Sequence, residues 1–192
     1  MRTRGERPGL EEIGRLRTLG REVLVQRWRE DLESPVAGIW TVEGIRPHLE
    51  RWLKRRHGAL SYRLVQVLTG HGCFCCCKYL HGIARREVSP ICHECGAPED
   101  TALHTMALCA SWAPQRHAMV SHLDGDLSLS SVINLMLGSE EGWSIVASFC
   151  EAVMALKEAS EREREQAADA LPLRRRRTGG RRRRYAHLMP PP

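Results

Sequence analysis

The sequence predicts a mostly α chain: helical segments around one small irregular insert, ending in a disordered, arginine-rich tail. Three observations carry this. Apolar residues recur at helical spacing on both sides of the insert, as in Leu10, Ile13, Leu16, Leu24, Trp28 and Leu32, and in Trp143, Val146, Cys150 and Val153. Residues 92–109 concentrate cysteine and histidine instead of a hydrophobic period. Residues 174–192 hold eight arginines and no acid, without a hydrophobic pattern that would let them fold.

The first helix is expected from Leu10 to Leu32. Gly14 and Gly20 each weaken it by roughly 1 kcal/mol relative to alanine. Ser34-Pro35 closes it, because proline pushes the preceding residue out of the α region. A loop through Gly38-Ile39-Trp40 is expected next, then a second helix from Ile45 to His57 with Pro47 tolerated in its first turn. Leu49, Trp52 and Leu53 make its apolar stripe, with Trp52 read as core; Arg51, Lys54, Arg55 and Arg56 make the other face basic. Ser61 to Leu68 is too short for its period to decide between helix and strand. Thr69-Gly70-His71-Gly72 is a chain breaker.

Beyond the cysteines, Trp112 to Leu123 reads as a helix and Asp124-Gly125-Asp126 as a turn. Ser128 is placed to cap a short helix ending near Gly138. Ser139 is placed to cap a long one that opens on Glu140 and Glu141, at its positive end. Trp143, Val146, Cys150, Val153 and either Leu156 or Lys157 share a side of that helix, and Glu158 to Gln166 reads as a solvated extension. The resulting organisation is a disordered start (1–9), a helical region (10–72), a cysteine-rich connector (73–91), the Cys/His insert (92–109), a helical C-terminal region (110–166) and a disordered basic tail (167–192).

Charge follows the same divisions. The net charge is +6 over 192 residues. Residues 1–63 set 14 basic against nine acidic side chains, residues 64–109 three against four, residues 110–173 four against ten, and the tail supplies the remaining eight arginines. A uniformly basic, histone-like protein is excluded. No apolar run approaches the ~18 residues of a membrane span, and the charged first residues do not read as a secretory signal. Eight cysteines in that setting are expected to be reduced thiols or metal ligands rather than disulfides.

The sharpest chemical signal is Cys92, Cys95, His104 and Cys109, spaced C-x2-C-x8-H-x4-C. Zinc takes four thiolate and imidazole ligands in a tetrahedron, and the two-residue gap lets a tight turn aim two thiolates at one ion. Gly96 can adopt positive φ to close that turn. The gap from His104 to Cys109 is just over one helical turn, so both can converge. A small CCHC zinc knuckle, stabilised by its ion, is the expected insert. His93, between the two cysteines, points away. Cys73, Cys75, Cys76 and Cys77 leave open a second metal site, if His71 or His81 contributes, or a lipidated cluster, but they are poorly arranged for one ion because neighbouring side chains diverge; Cys150 reads as core.

No catalytic set is evident. The sequence has no Asp-Asp pair, G-x-S-x-G, phosphate-binding loop or H-E-x-x-H, so the chain is not expected to be an enzyme on its own.

Several stretches together resemble one family. These are Trp40-Thr41, Arg51-Trp52 with Lys54 to Gly58, and the run Tyr62-Arg63-Leu64-Val65-Gln66-Val67-Leu68-Thr69-Gly70-His71-Gly72-Cys73-Phe74. Tyr79-Leu80-His81, Cys92, Cys95, Glu99-Asp100-Thr101, His104, Cys109 and Trp112 follow. Their order resembles the C-terminal part of the Pol polyprotein of type-1 arthropod non-LTR retrotransposable elements, over roughly residues 10–160. The family usually has about two residues between the Phe and the Tyr-Leu, where this chain has four, Cys75 to Lys78.

The resemblance implies that Cys92, Cys95, His104 and Cys109 hold zinc. It also implies that the preceding helices follow a polymerase thumb and help hold element RNA or target DNA. The chain then reads as a piece of an RNA-directed DNA polymerase that lacks the polymerase motifs. Arg51, Lys54, Arg55 and Arg56 are the candidate phosphate contacts. In the tail they are Arg174, Arg175, Arg176, Arg177, Arg181, Arg182, Arg183 and Arg184, whose planar donors suit phosphate and which also read as a nuclear-import signal. RNA or DNA, the polymerase domain of the same parent polyprotein, no membrane, and a nuclear location (with a cytoplasmic phase open) are the expected partners and setting. A different class stays open: a zinc-stabilised protein-interaction module with a basic nuclear-targeting tail.

Overall fold

Seven α-helices and no strand make up the regular structure of the residues that the computed structural model describes, 9–74 and 89–168. They are α1 (Leu10–Asp31), α2 (Ile39–Ile45), α3 (Leu49–Lys54), α4 (Tyr62–Thr69), α5 (Ala113–Val120), α6 (Leu129–Gly138) and α7 (Glu140–Gln166). No helix among the described residues is long and apolar enough to cross a membrane. The chain divides into two compact units, one from residues 1–59 and 120–146, the other from residues 60–119 and 147–192.

In the first unit α1 forms where its period predicts, but none of its residues is buried. The second helix differs from expectation. Gly38, at φ +65°, opens α2, whose first hydrogen bond runs from Val42 N–H to the Gly38 carbonyl (2.9 Å), so Ile39 and Trp40 are helical rather than loop. Pro47 lies not in a first turn but in a 3-10 turn, Arg46–His48, between α2 and α3. A proline has no N–H to continue the α pattern there. α3 then stops at Lys54, because Arg55 takes an extended conformation (ψ 144°). The Arg55 side chain donates back to the Trp52 carbonyl (2.7 Å), capping the last turn.

α2 lies against α6 at Gly44, where a Cβ would fall 2.5 Å from Leu129 Cδ2. The core of this unit is Leu49, Leu129, Val132, Ile133, Met136, Trp143 and Val146. Gly58, at φ +82°, passes directly under the Trp143 indole, whose N–H donates to the Ala59 carbonyl (3.2 Å). His57 meets the Met136 carbonyl at 2.9 Å and Arg51 donates to Asn134 Oδ1 at 2.6 Å. Ser128 and Ser139 cap α6 and α7 as expected, accepting from Ser131 N–H (3.3 Å) and Gly142 N–H (2.9 Å).

In the second unit the undecided segment is a helix, α4. Ser61 accepts from Leu64 N–H at 3.2 Å, and Gly70 (φ +68°) ends the helix, with His71 N–H returning to the Gln66 carbonyl (3.0 Å). The core holds Leu64, Val67, Phe74, Met106, Trp112, Phe149, Cys150, Val153 and Met154. Of the two residues that the period left open at the end of α7, Lys157 is buried and Leu156 is 48% exposed. The predicted solvated extension is helical to Gln166, but the Glu158 side chain is largely covered and holds Arg63, at 2.9 Å. The fifth helix is shorter than expected, ending at Val120 rather than Leu123.

A candidate metal centre

The site is built from two short pieces of irregular chain. In the first, Cys92 N–H donates to the Ala97 carbonyl (2.9 Å) and Gly96 N–H to the Cys92 carbonyl (2.8 Å). This tight turn needs positive φ at Gly96 (+76°), as expected. It brings Cys92 and Cys95 to the same side.

The second piece explains the four-residue gap. Around an α-helix, residues five apart diverge by about 140°. Here residues His104–Leu108 form a π-turn, closed by Cys109 N–H on the His104 carbonyl (2.7 Å), so a five-residue step comes back to one face. Thr101 starts it by accepting from His104 N–H (2.9 Å).

The four ligand atoms lie within 4.8 Å of one another. Cys92 Sγ and Cys109 Sγ are 4.0 Å apart, and Cys95 Sγ is 3.2 Å from His104 Nε2. A tetrahedron with Zn–S near 2.3 Å and Zn–N near 2.0 Å has edges of about 3.5–3.8 Å. The cluster can therefore hold a metal ion, and its donor set is compatible with zinc. Cys92 and Cys109 are fully buried, His104 is nearly so, and Cys95 is exposed. Burial pushes the Cys92 thiol up to about 12. The Ala97 backbone N–H holds the Cys95 thiol below its ordinary value, and burial holds His104 below its own, which favours the neutral, ligating imidazole. His93 is exposed and not part of the cluster.

Behind the ligands stand two charged groups that sequence reasoning missed. Arg116, 6% exposed, donates to the carbonyls of Met106 (2.6 Å), Thr105 (3.1 Å) and Cys109 (2.8 Å). Asp100 and Lys157, both buried, form an ion pair with Nζ 2.8 and 3.0 Å from the two carboxylate oxygens. Thr105 Oγ1 donates to the same carboxylate (3.2 Å), and Lys157 Nζ lies 5.6 Å from the centroid of the buried Phe74 ring. The signal for Lys157 was in the helical period, which reached it as an alternative to Leu156. Arg116 gave none, because a single arginine in an amphipathic segment reads as surface.

The candidate phosphate contacts of the first unit are not one helix face. Arg51 and Lys54 are on α3 and exposed, with Lys54 3.2 Å from Glu50. Arg55 and Arg56 lie beyond the end of α3. Arg55 is turned inward, its guanidinium 4.3 Å from the centroid of Trp52 and 5.3 Å from that of Trp143, while Arg56 is exposed. Trp52 is half-buried, its ring centroid 5.8 Å from that of Trp143. The arginines at 174–177 and 181–184, and Cys75, Cys76 and Cys77, lie outside the described residues. Cys73 is a free, partly buried thiol that burial pushes up to about 11; Cys150 is a core residue, as expected.

No protein-family model, curated protein or solved structure matches the chain.

Proposed function

We propose that the chain is a zinc-binding, nucleic-acid-binding C-terminal module of a non-LTR retrotransposon reverse transcriptase, which holds element RNA or target DNA. The observation that carries this reading is the convergence of Cys92, Cys95, His104 and Cys109 on one point, downstream of the Leu68-Thr69-Gly70-His71-Gly72-Cys73-Phe74 run. Zinc, when bound, supplies structure rather than chemistry: it ties the turn at 92–97 to the π-turn at 104–109. Arg51, Lys54 and Arg56, exposed in the first unit, are suited to neutralise phosphates, together with the arginines of the tail. The module acts beside the polymerase domain of a parent polyprotein, in the nucleus, and has no polymerase activity of its own.

The test is a fluorescence titration of the full chain with an RNA hairpin and a DNA duplex at two salt concentrations. Binding that weakens steeply with salt supports the reading, since each neutralised phosphate adds about 0.9 to the slope of log K against log salt for B-DNA. Affinity that does not change with salt contradicts it. Primer extension by the isolated chain would contradict the non-enzymatic part.

A second reading, a zinc-stabilised protein-interaction module, is favoured by one observation. Residues 89–115 contain no lysine or arginine, and the exposed large hydrophobic side chains there are aliphatic: Ile91, Leu103 and Leu108. Such a surface suits protein better than phosphate. Deleting residues 174–192 separates the two readings: binding that survives assigns nucleic acid to the folded region, and binding that vanishes favours the protein-binding module.

A further inference from the structure

Arg116 has the wrong surroundings for a guanidinium. It is buried, and its hydrogen-bond partners are three neutral carbonyls, those of Thr105, Met106 and Cys109, all in or next to the π-turn that carries two ligands. Among the described residues no carboxylate reaches it, whereas the other buried cation, Lys157, has Asp100. A buried charge without a counter-charge is costly.

The charge of the metal centre supplies what is missing. Three thiolates and one neutral imidazole around a divalent ion leave a net charge of −1. We infer that Arg116 is the counter-charge of the metal–thiolate centre: a positioning residue that braces the π-turn through its carbonyls and neutralises the charge that the bound ion leaves behind. Binding of the ion and burial of Arg116 then depend on each other. Without the ion, the buried guanidinium faces neutral carbonyls alone. With the ion, the two charges cancel inside the protein.

This inference rests on the reading of the cluster as a zinc site, and the experiment keeps the two apart. Zinc affinity of the full chain is measured by competition with a chromophoric chelator, with the cobalt(II) spectrum reporting whether the site stays tetrahedral. Replacing Arg116→Met is expected to weaken zinc by about tenfold or more, the usual range for a group that supports metal ligands from behind. Replacing Arg116→Lys keeps the charge and gives up the three-carbonyl fork, and is expected to stay within about threefold of the parent.

The decisive comparison is in a Cys95→His background, where two thiolates and two imidazoles make the centre neutral. There the Arg116→Met change is expected to cost less than about threefold. Equal losses in both backgrounds, or an Arg116→Lys chain as weak as Arg116→Met, would overturn the inference and leave Arg116 as a carbonyl brace. If Arg116→Met does not fold, or Cys95→His does not bind, the lysine variant decides alone, and its own failure to fold counts against the inference. A parent chain that binds no zinc overturns both the site and the inference; a parent that binds zinc while every variant matches it overturns the inference alone.

Discussion

Helix α1 runs for 22 residues and buries none of them; helix α7 runs for 27 and buries Trp143, Val146, Phe149, Cys150, Val153, Met154 and Lys157. Both sequences carry an apolar helical period. On α7 that period meets a surface, and in the second unit part of that surface belongs to the Cys/His insert: Lys157 pairs with Asp100, whose carboxylate also accepts from Thr105 inside the π-turn. On α1 Leu16, Leu19, Val23 and Leu24 stay more than half exposed. Contact with α3 is polar at its edge, with Arg29 paired to Glu50 and Arg21 donating to the Leu53 carbonyl (3.3 Å). A helical period therefore fixes conformation, but only a partner surface turns it into stability.

The sharpest way to break this contrast is to remove the insert. His104→Ala should abolish metal binding, whose apparent free energy in small zinc modules is about 10–16 kcal/mol. Residues 92–109 should then be cleaved readily by protease, and the 147–157 part of α7 should lose amide-exchange protection. The amides of α1, which have no burial to lose, should exchange as before.

The ion pair gives the next largest effect. Lys157→Met takes the cation away from the buried Asp100 carboxylate and should cost about 3–5 kcal/mol in denaturant unfolding. The double change Asp100→Asn with Lys157→Met should recover most of that loss, because two neutral groups of similar shape replace the pair. A double variant as unstable as the single one would mean that the pair is valued for its geometry, not for avoiding an orphaned charge.

Truncation then compares the two helices directly. Met154→Ala on α7 should cost about 2–5 kcal/mol, while Leu19→Ala on α1 should fall within about 0.5 kcal/mol. A large loss at Leu19 would show that α1 is covered in solution by something beyond the described contacts.

The smallest effect is electrostatic. The Ser61 hydroxyl, then Arg63, hold the Glu151 carboxyl below the usual carboxylate range. Its folded value is depressed, so the unfolded chain binds the proton first. The stability it contributes is present at neutral pH and is lost as pH falls below the ordinary carboxylate value and through the folded one. Glu151→Gln should flatten that acid limb of a pH–stability curve without moving the neutral plateau's slope.

The sequence made the helices of this chain legible wherever apolar spacing and a cap agreed. Ser128 and Ser139 set two starts correctly, and the C-x2-C-x8-H-x4-C spacing picked out four side chains that converge. The failures have physical causes. The break at Pro47 follows from its missing N–H, and the stop at Lys54 accompanies the extended backbone of Arg55, whose guanidinium lies by two indole rings. The π-turn is invisible to a 3.6-residue period, although the five-residue step from His104 to Cys109 required something other than an α-helix. Arg116 and the Asp100–Lys157 pair were unreadable because a charged residue announces its burial only through partners distant in sequence. Arg116 reaches back to carbonyls 7, 10 and 11 residues away, and Lys157 reaches Asp100 across 57; both sets of partners come together only in the fold.

The central claim is that Cys92, Cys95, His104 and Cys109 form one metal site, and elemental analysis of the full chain, purified without a histidine tag, tests it most directly. The account predicts about one zinc per chain, reduced to none by His104→Ala. A folded chain that carries no zinc, and takes up none when it is offered, would contradict it.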